Sequence, residues 1–313
     1  MRYAPEMEYR RLGHSGLLVS AVGLGTNNFG SRLDEAATRL VLDQALEAGV
    51  TFIDTSDSYG RGASETLIGR ILGTRRRDVI LATKFSSPMG ESRYERGTSR
   101  RWLSEAVEGS LRRLATDVID LYQIHFPDPE TPIDETLRAL DDLVTAGKVR
   151  YLGYSNFAAW QIVEGQWTAR TEHLVRPISS QNHFNLLRRE IEADVLPAAR
   201  AHGLGIIPYY PLESGFLTGK YRPGQTPDGA RLAGSPRADE VLSPTNFERL
   251  ARWEAFAAER GHTLLELAFA WLLGHPEVGS VIAGARLPEQ VRLNIDAAGW
   301  TLDGAEMAAM AAA

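Results

Sequence analysis

Residues 79–85 read VILATKF, an apolar run of strand length that ends beside a lysine. Side chains alternate along a strand, so Ile80, Ala82 and Lys84 share one face. Further along, IDLYQIH (119–125) repeats the arrangement, with Leu121, Gln123 and His125 on one face. In a closed barrel with both faces turned inward, Lys84 and His125 converge at the C-terminal ends of their strands. FIDTSDSYG (52–60) then adds Asp54 at the end of the preceding strand and Tyr59 in the loop after it.

Outward from these stretches the chain keeps one rhythm. Strand-length apolar runs fall at residues 21–26, 51–56, 79–85, 119–125, 149–156, 178–185, 205–211 and 280–285. Helix-length amphipathic segments fall near 34–48, 64–72, 99–114, 133–146, 158–167, 189–201, 263–273 and 288–297, with a further one over 246–259. Strands alternating with helices imply a parallel sheet covered on its outer side, and eight strands close a barrel. The predicted fold class is α/β, a (β/α)8 TIM barrel forming a single domain over residues 1–313. Residues 9–20, with His14-Ser15-Gly16 in the middle, predict an N-terminal β-hairpin. The stretch 212–245, rich in glycine and proline, is a long loop after the seventh strand. That position suits a loop covering a phosphate-bearing ligand. The alanine-rich end, 307–313, reads as a frayed helix.

Composition narrows the function classes. The net charge of −6 argues against nucleic acid or an anionic membrane as the main partner. The chain has no cysteine, which removes disulfides, thiolate nucleophiles and cysteine metal sites. No signal-peptide pattern stands at the N-terminus, and no apolar run approaches membrane-spanning length. These features predict a cytoplasmic protein. The seven histidines follow no metal-ligand spacing, so no metal is expected.

Asp, Lys, Tyr and His at consecutive strand ends have a clear joint use. A free tyrosine has a pKa of about 10, too high for an efficient proton donor at neutral pH. A nearby lysine cation favours the phenolate, and an aspartate holds that lysine charged. A neutral histidine hydrogen-bonds a substrate oxygen. The group therefore suits protonation of a carbonyl oxygen as hydride reaches the carbon. Taken singly, Asp54–Lys84 also suits a rim ion pair, Tyr59 a packed aromatic and His125 a satisfied rim residue. Residues 23–30, GLGTNNFG, do not match G-x-G-x-x-G, and no G-x-x-x-x-G-K-[ST] loop occurs. Any nucleotide must be held by the barrel loops.

FIDTSDSYG, ATKF, IDLYQIHFPDP, GKVRYLGYSNF, SSQNHFNLLRR and YYPLESGFLTGKY together resemble the aldo-keto reductases. The likeness is to the branch that includes potassium-channel β subunits and bacterial reductases. It runs from GLGTNNFG to IAGARLPEQVRLN and implies a catalytic tetrad of Asp54, Tyr59, Lys84 and His125, with Tyr59 as general acid. It also implies NADPH as cofactor. Ser155, Asn156 and Gln181 match carboxamide contacts, and Tyr209 matches the aromatic that stacks on the nicotinamide. Pro211, Leu212, Ser214, Gly215, Gly219 and Lys220 match the pyrophosphate loop, and Gly25, Thr26 and Asn27 lie beside the active site. Gly284, Arg286, Gln290 and Asn294 match the adenosine end. Arg286 and Arg231 suit the extra phosphate of NADPH, since guanidinium groups bind phosphate bidentately. Departures are Phe126, where an arginine is common, Leu293 for a glutamate, and Ala283 for a proline. Asn27, Asn28, Phe29, Phe126 and the stretch 85–89, which begins with Phe85 and ends with Met89, are expected to wall the substrate pocket. The expected partner is a small-molecule carbonyl compound, with a homo-oligomer as a further possibility. Two other classes stay open: a barrel lyase using Lys84 as a Schiff-base nucleophile, and a regulatory or binding protein that retains a reductase site.

Overall fold

A computed structural model describes residues 7–312 of the chain. Residues 1–6, part of the segment read for a signal sequence, and Ala313 lie outside the described residues.

A hairpin comes first: β1 (Tyr9–Arg11) pairs antiparallel with β2 (Leu18–Ser20). Gly13 sits in its turn with φ +57°, and a Cβ there would lie 2.5 Å from Gly203 O and 2.6 Å from Gly205 N. Only glycine lets the turn dock this closely against the barrel. Eight parallel strands follow: β3 (Val22–Gly25), β4 (Phe52–Asp54), β5 (Ile80–Phe85), β6 (Ile119–Ile124), β7 (Val149–Ser155), β8 (Ser179–His183), β9 (Gly205–Tyr209) and β10 (Val281–Gly284). They run in sequence order, with β10 returning to pair with β3. The remaining seam is closed just before β10. There Ile206 N–H donates to Glu277 O at 2.7 Å, and Gly279 N–H donates to Ile206 O at 3.0 Å. The result is the (β/α)8 barrel expected from the alternation.

Helices cover the outside: α1 (Glu35–Glu47), α2 (Ala63–Leu72), α3 (Arg100–Leu114), α4 (Ile133–Thr145), α5 (Ala159–Thr171) and α6 (Val195–His202), then a short α7 (Ala238–Val241), α8 (Pro244–Glu259), α9 (Leu264–Leu273), α10 (Pro288–Ala297) and α11 (Gly304–Ala312). Several of their starts, though not all, carry side-chain caps. Asp34 accepts from Ala37 N–H at 2.9 Å, and Thr263 and Glu266 form a reciprocal capping box. Ser243 caps α8 with Pro244 at its first position, so this helix begins ahead of its expected bound.

Two expected helices differ. The segment 189–201 is not continuous: a 3-10 turn at Glu190–Glu192 precedes α6, which starts only at Val195. Pro197 explains the break, because a residue without N–H fits only the first helical turn. The C-terminal helix is docked rather than frayed. Met310 is buried, its carbonyl accepts from Arg189 at 2.6 Å, and Glu306 pairs with Arg260 at 2.8 Å.

The long stretch 212–245 contains a 3-10 turn (Glu213–Thr218) and α7, and is anchored by buried Phe216, Leu217, Tyr221, Leu232 and Val241. Two apolar layers result from the period-2 alternation. One lies between barrel and helices. The other fills the lumen, where Phe52, Ala82, Leu121, Ile207 and Ile282 meet Leu12, Leu17 and Val19 of the hairpin.

Candidate active site

The inward faces of β4 to β8 turn polar at their C-terminal ends. Asp54 ends β4, and parallel register sets Lys84 of β5 beside Gln123 of β6 and Ser155 of β7 beside Gln181 of β8. Lys84 and Asp54 are almost wholly inaccessible, with Nζ 2.5 Å from Oδ2. The ammonium also donates to Thr55 O at 2.9 Å and to the Tyr59 hydroxyl at 3.3 Å. Asp54 Oδ1 accepts from Gln181 Nε2 at 2.8 Å and Gln123 Nε2 at 3.0 Å. Every charge in this buried cluster is therefore met, which a buried ion pair requires to persist.

Tyr59 leaves the loop after β4 through three successive left-handed residues, Gly60 (φ 58°), Arg61 (φ 52°) and Gly62 (φ 89°). This turn holds the phenol at the cavity floor. Its ring lies edge-on to His125 with centroids 5.9 Å apart.

Electrostatics divide the protons. Burial works against the charge on Lys84, but Asp54 and Tyr59 outweigh it and its pKa is raised. Burial also pushes the Tyr59 phenol up, and Lys84 pulls it part of the way back. The lysine acts in the direction expected from sequence, yet burial wins and the phenol is a held proton at neutral pH. His125 is pushed down to about 3 by burial and by the Lys84 cation, so the imidazole is neutral. Its Nδ1 lies 3.2 Å from both Ser56 Oγ and Ser87 Oγ.

A cavity of about 630 Å³ opens above this group. Tyr59, His125 and Asp54 lie along its wall with Ser155, Asn156, Gln181 and Tyr209. Asn156 donates to His125 O at 2.9 Å and accepts from the Tyr209 hydroxyl at 2.8 Å. One face of Tyr209 is covered by His183, stacked with centroids 5.2 Å apart. The cavity then runs past Gly25, Thr26 and Asn27 on one side and Pro211, Leu212, Ser214, Gly215 and Lys220 on the other. It ends at Arg231, Gly284, Arg286, Gln290 and Asn294. Asn28, Phe126, Ala283 and Leu293 also line it. Arg286 reaches over to Gly229 O at 3.4 Å, and its N–H donates to Gln290 Oε1 at 2.7 Å. Its cations are Arg32, Lys220, Arg231 and Arg286, while Asp54 is the one acid among the described lining residues.

Several expected residues are placed elsewhere. Phe29 and Phe85 do not wall the cavity: both are fully buried in the layer between barrel and helices. Phe85 follows the inward Lys84 and so points outward, where it stacks on Tyr122 at 4.7 Å. Met89 packs on the same layer, and from its stretch only Ser87 reaches the His125 ring, while Phe85 O accepts from His125 N–H at 2.9 Å. Gly219 lies outside the lining and closes the 3-10 turn with φ +73°. Lys84 lies behind the wall and meets it through its contacts with Asp54 and Tyr59. Sequence reasoning missed Gln123 as a site residue, although its shared face with Leu121 and His125 was the signal. Ser56 and the His183–Glu213 pair (2.8 Å) carried no comparable signal, because loops and cross-strand partners have no period.

Residues 21–313 match the profile of the Aldo/keto reductase family. "Uncharacterized oxidoreductase YrpG" of Bacillus subtilis is 39% identical over 308 residues, covering 95% of this chain and 93% of that protein. "Aldo-keto reductase YhdN" of the same organism is 36% identical, with 95% and 90% covered. A "Probable voltage-gated potassium channel subunit beta" of Oryza sativa subsp. japonica is 37% identical, with 93% and 91% covered. With the barrel, its polar mouth and this likeness along almost the whole length, the chain belongs to the aldo/keto reductase family.

Proposed function

We propose that this protein reduces an aldehyde or ketone to an alcohol with NADPH, and that Tyr59 is the general acid. The observation that carries this reading is the Lys84 ammonium between buried Asp54 and the Tyr59 hydroxyl, beneath a cavity that His125 also lines. A bound dihydronicotinamide would supply the hydride. Tyr59 holds its proton at neutral pH and releases it to a carbonyl oxygen as negative charge develops there. Lys84 stabilises the phenolate left behind, and Asp54 keeps Lys84 charged and in place. His125, being neutral, donates a hydrogen bond that orients the carbonyl. A charged Lys84 is a poor nucleophile, which disfavours the Schiff-base alternative.

The donors present suit the cofactor that the family generally uses. Ser155, Asn156 and Gln181 offer amides and a hydroxyl near the free face of Tyr209. Lys220, Arg231 and Arg286 offer cations where its phosphates would lie. The pKa of Lys220 is lowered by partial burial and by Arg286, a repulsion that an anion between them would relieve. Phe126 is half exposed and stacks on His125 at 4.6 Å, so it is the aromatic wall offered to substrate. We place the reaction in the cytoplasm. Among the described residues no helix is long and apolar enough to cross a membrane.

The test is NADPH oxidation against a panel of sugar-derived ketones, steroid- or terpenoid-like ketones and simple aldehydes. Tyr59→Phe should lower turnover by roughly 10²–10⁴-fold, the usual contribution of a general acid, while cofactor affinity stays within about two-fold. Full activity in Tyr59→Phe would overturn the assignment. A second reading, a regulatory subunit retaining the site, is favoured by the relatives named as channel β subunits. Steady-state turnover on any carbonyl of the panel would exclude it, and single-turnover oxidation alone would support it.

A further inference from the structure

Behind His125 lies a buried acid that the Asp54–Lys84–Tyr59 group does not use. Asp57 is fully inaccessible, and its N–H donates to Lys84 O at 3.2 Å. Its Oδ1 is 3.2 Å from Ser56 Oγ, whereas its Oδ2 is buried without a partner. The same Ser56 Oγ is 3.2 Å from His125 Nδ1 and 2.9 Å from Ser58 Oγ. One hydroxyl thus stands between a carboxyl group and the ring nitrogen turned away from the cavity.

Ser56 has one proton to give. An ionised Asp57 attracts it, because a carboxylate is the stronger acceptor. A protonated Asp57 instead donates to Ser56 Oγ and frees the serine proton for Nδ1. An accepting Nδ1 places the ring proton on Nε2, the nitrogen left for the cavity. Only that tautomer donates to a carbonyl oxygen; the other presents a lone pair to it. Ser87, 3.2 Å from the same Nδ1, is a fallback donor.

We propose that Asp57 is a positioning residue whose protonated form sets the His125 tautomer through Ser56, so that Nε2–H faces the substrate. The surroundings favour protonation. Burial and the Glu65 carboxylate of α2 push Asp57 up to about 7, against the opposing pull of Ser56, Arg113 of α3 and the Ser58 backbone. Arg113 is already engaged by Glu65 at 2.7 Å, and Thr83 of β5 donates to Glu65 at 2.6 Å. Tyr122 of β6, its hydroxyl also buried without a partner, faces the same pocket and adds no positive charge. The Lys84 ammonium of β5 is held by Asp54 and Tyr59. The proposal rests on the carbonyl-reduction reading for its purpose, but its readout needs no turnover.

The experiment is long-range ¹H–¹⁵N correlation on ¹⁵N-histidine protein, with the His125 signals assigned by His125→Gln, between pH of about 5.5 and 8.5. Wild-type protein should show the Nε2–H pattern at the acid end and a shift towards mixed tautomers with a midpoint near pH 7. Asp57→Asn cannot ionise and should lose the inflection; Ser87→Ala should enlarge it. Ser56→Ala, which removes the bridge without touching the buried acid, should also abolish it, even where Asp57→Asn folds poorly. A His125 tautomer that ignores pH in the wild type, or an inflection that survives Asp57→Asn or Ser56→Ala, overturns the proposal. In kinetics, wild-type kcat/KM should fall about three-fold or more across the same range relative to Asp57→Asn. A tautomer shift as described in a protein that turns over no carbonyl would refute the reduction reading and leave the Asp57–His125 link standing.

Discussion

At the N-terminal end of the barrel, Leu12, Leu17 and Val19 close the lumen against Phe52, Leu121 and Ile207. At its C-terminal end the inward positions carry Asp54 and Gln181 on an open cavity, with Lys84 and Gln123 buried behind them. The two ends share a backbone and differ in what the inward positions hold. The apolar end gains free energy from every methyl group it buries. The polar end buries an ion pair whose desolvation costs several kcal/mol per charge, recovered only through complete hydrogen bonding. Stability is thus concentrated below, and buried polar and charged groups are tolerated above.

A third region sharpens the contrast. Asp120 is also buried and also paired, with Arg76 at 2.8 Å and with Arg150. It accepts in addition from Leu81 N–H at 2.9 Å, outside the lumen. Its cations bind nothing that faces a cavity. The ion pair at the mouth differs because Lys84 keeps a donor for Tyr59.

Substitutions at the two ends should separate these roles. The largest effect is expected from Lys84→Met. Turnover should fall by roughly 10²–10⁴-fold as the acid loses its partner. Urea unfolding should also show a loss of about 3–5 kcal/mol from the stranded Asp54. An unchanged urea midpoint would mean that the buried pair is not what holds the mouth together. Next is Leu12→Ala, which should cost about 2–5 kcal/mol through the cavity it leaves. The kcat of the folded fraction should be unaltered, and a comparable loss of kcat would break the comparison. Arg286→Ala should weaken NADPH by about 1.5–3 kcal/mol, the worth of a charge-assisted hydrogen bond. Fluorescence titration should find the NADH Kd nearly unmoved, and equal effects would remove the phosphate contact.

The smallest effect concerns pH. The folded chain holds His125 neutral down to about 3, below its ordinary value of 6.5. The unfolded chain therefore takes up this proton first. Stability from the neutral imidazole is whole above about 6.5 and declines as pH falls towards 3, by on the order of 1 kcal/mol per pH unit. His125→Gln should flatten that slope in melts between pH of about 4.5 and 7. An unchanged slope would place the proton uptake elsewhere.

The strand ends were legible in the sequence because alternation has a period of two residues. Lys84 inward follows from Ile80 and Ala82, and the same count sends Phe85 outward. The expectation of Phe85 in the pocket ignored that rule, and loop residue Phe29 had no rule to follow. Gln123 was legible as a face and missed as a function, since an amide on a strand says nothing about its partner. The C-terminal helix was misjudged from composition, because the Arg189 and Arg260 contacts that dock it come from distant parts of the chain.

The sequence by itself determined the eightfold alternation and the strand ends on which Asp54, Lys84 and His125 sit. These depend on local periodicity. Only the tertiary structure decided that Asp54 is clamped by two glutamines and that burial outweighs Lys84 at Tyr59. It alone also joined Asp57 to His125 through Ser56. Those outcomes depend on distance and on exclusion of water, and neither exists until the barrel closes.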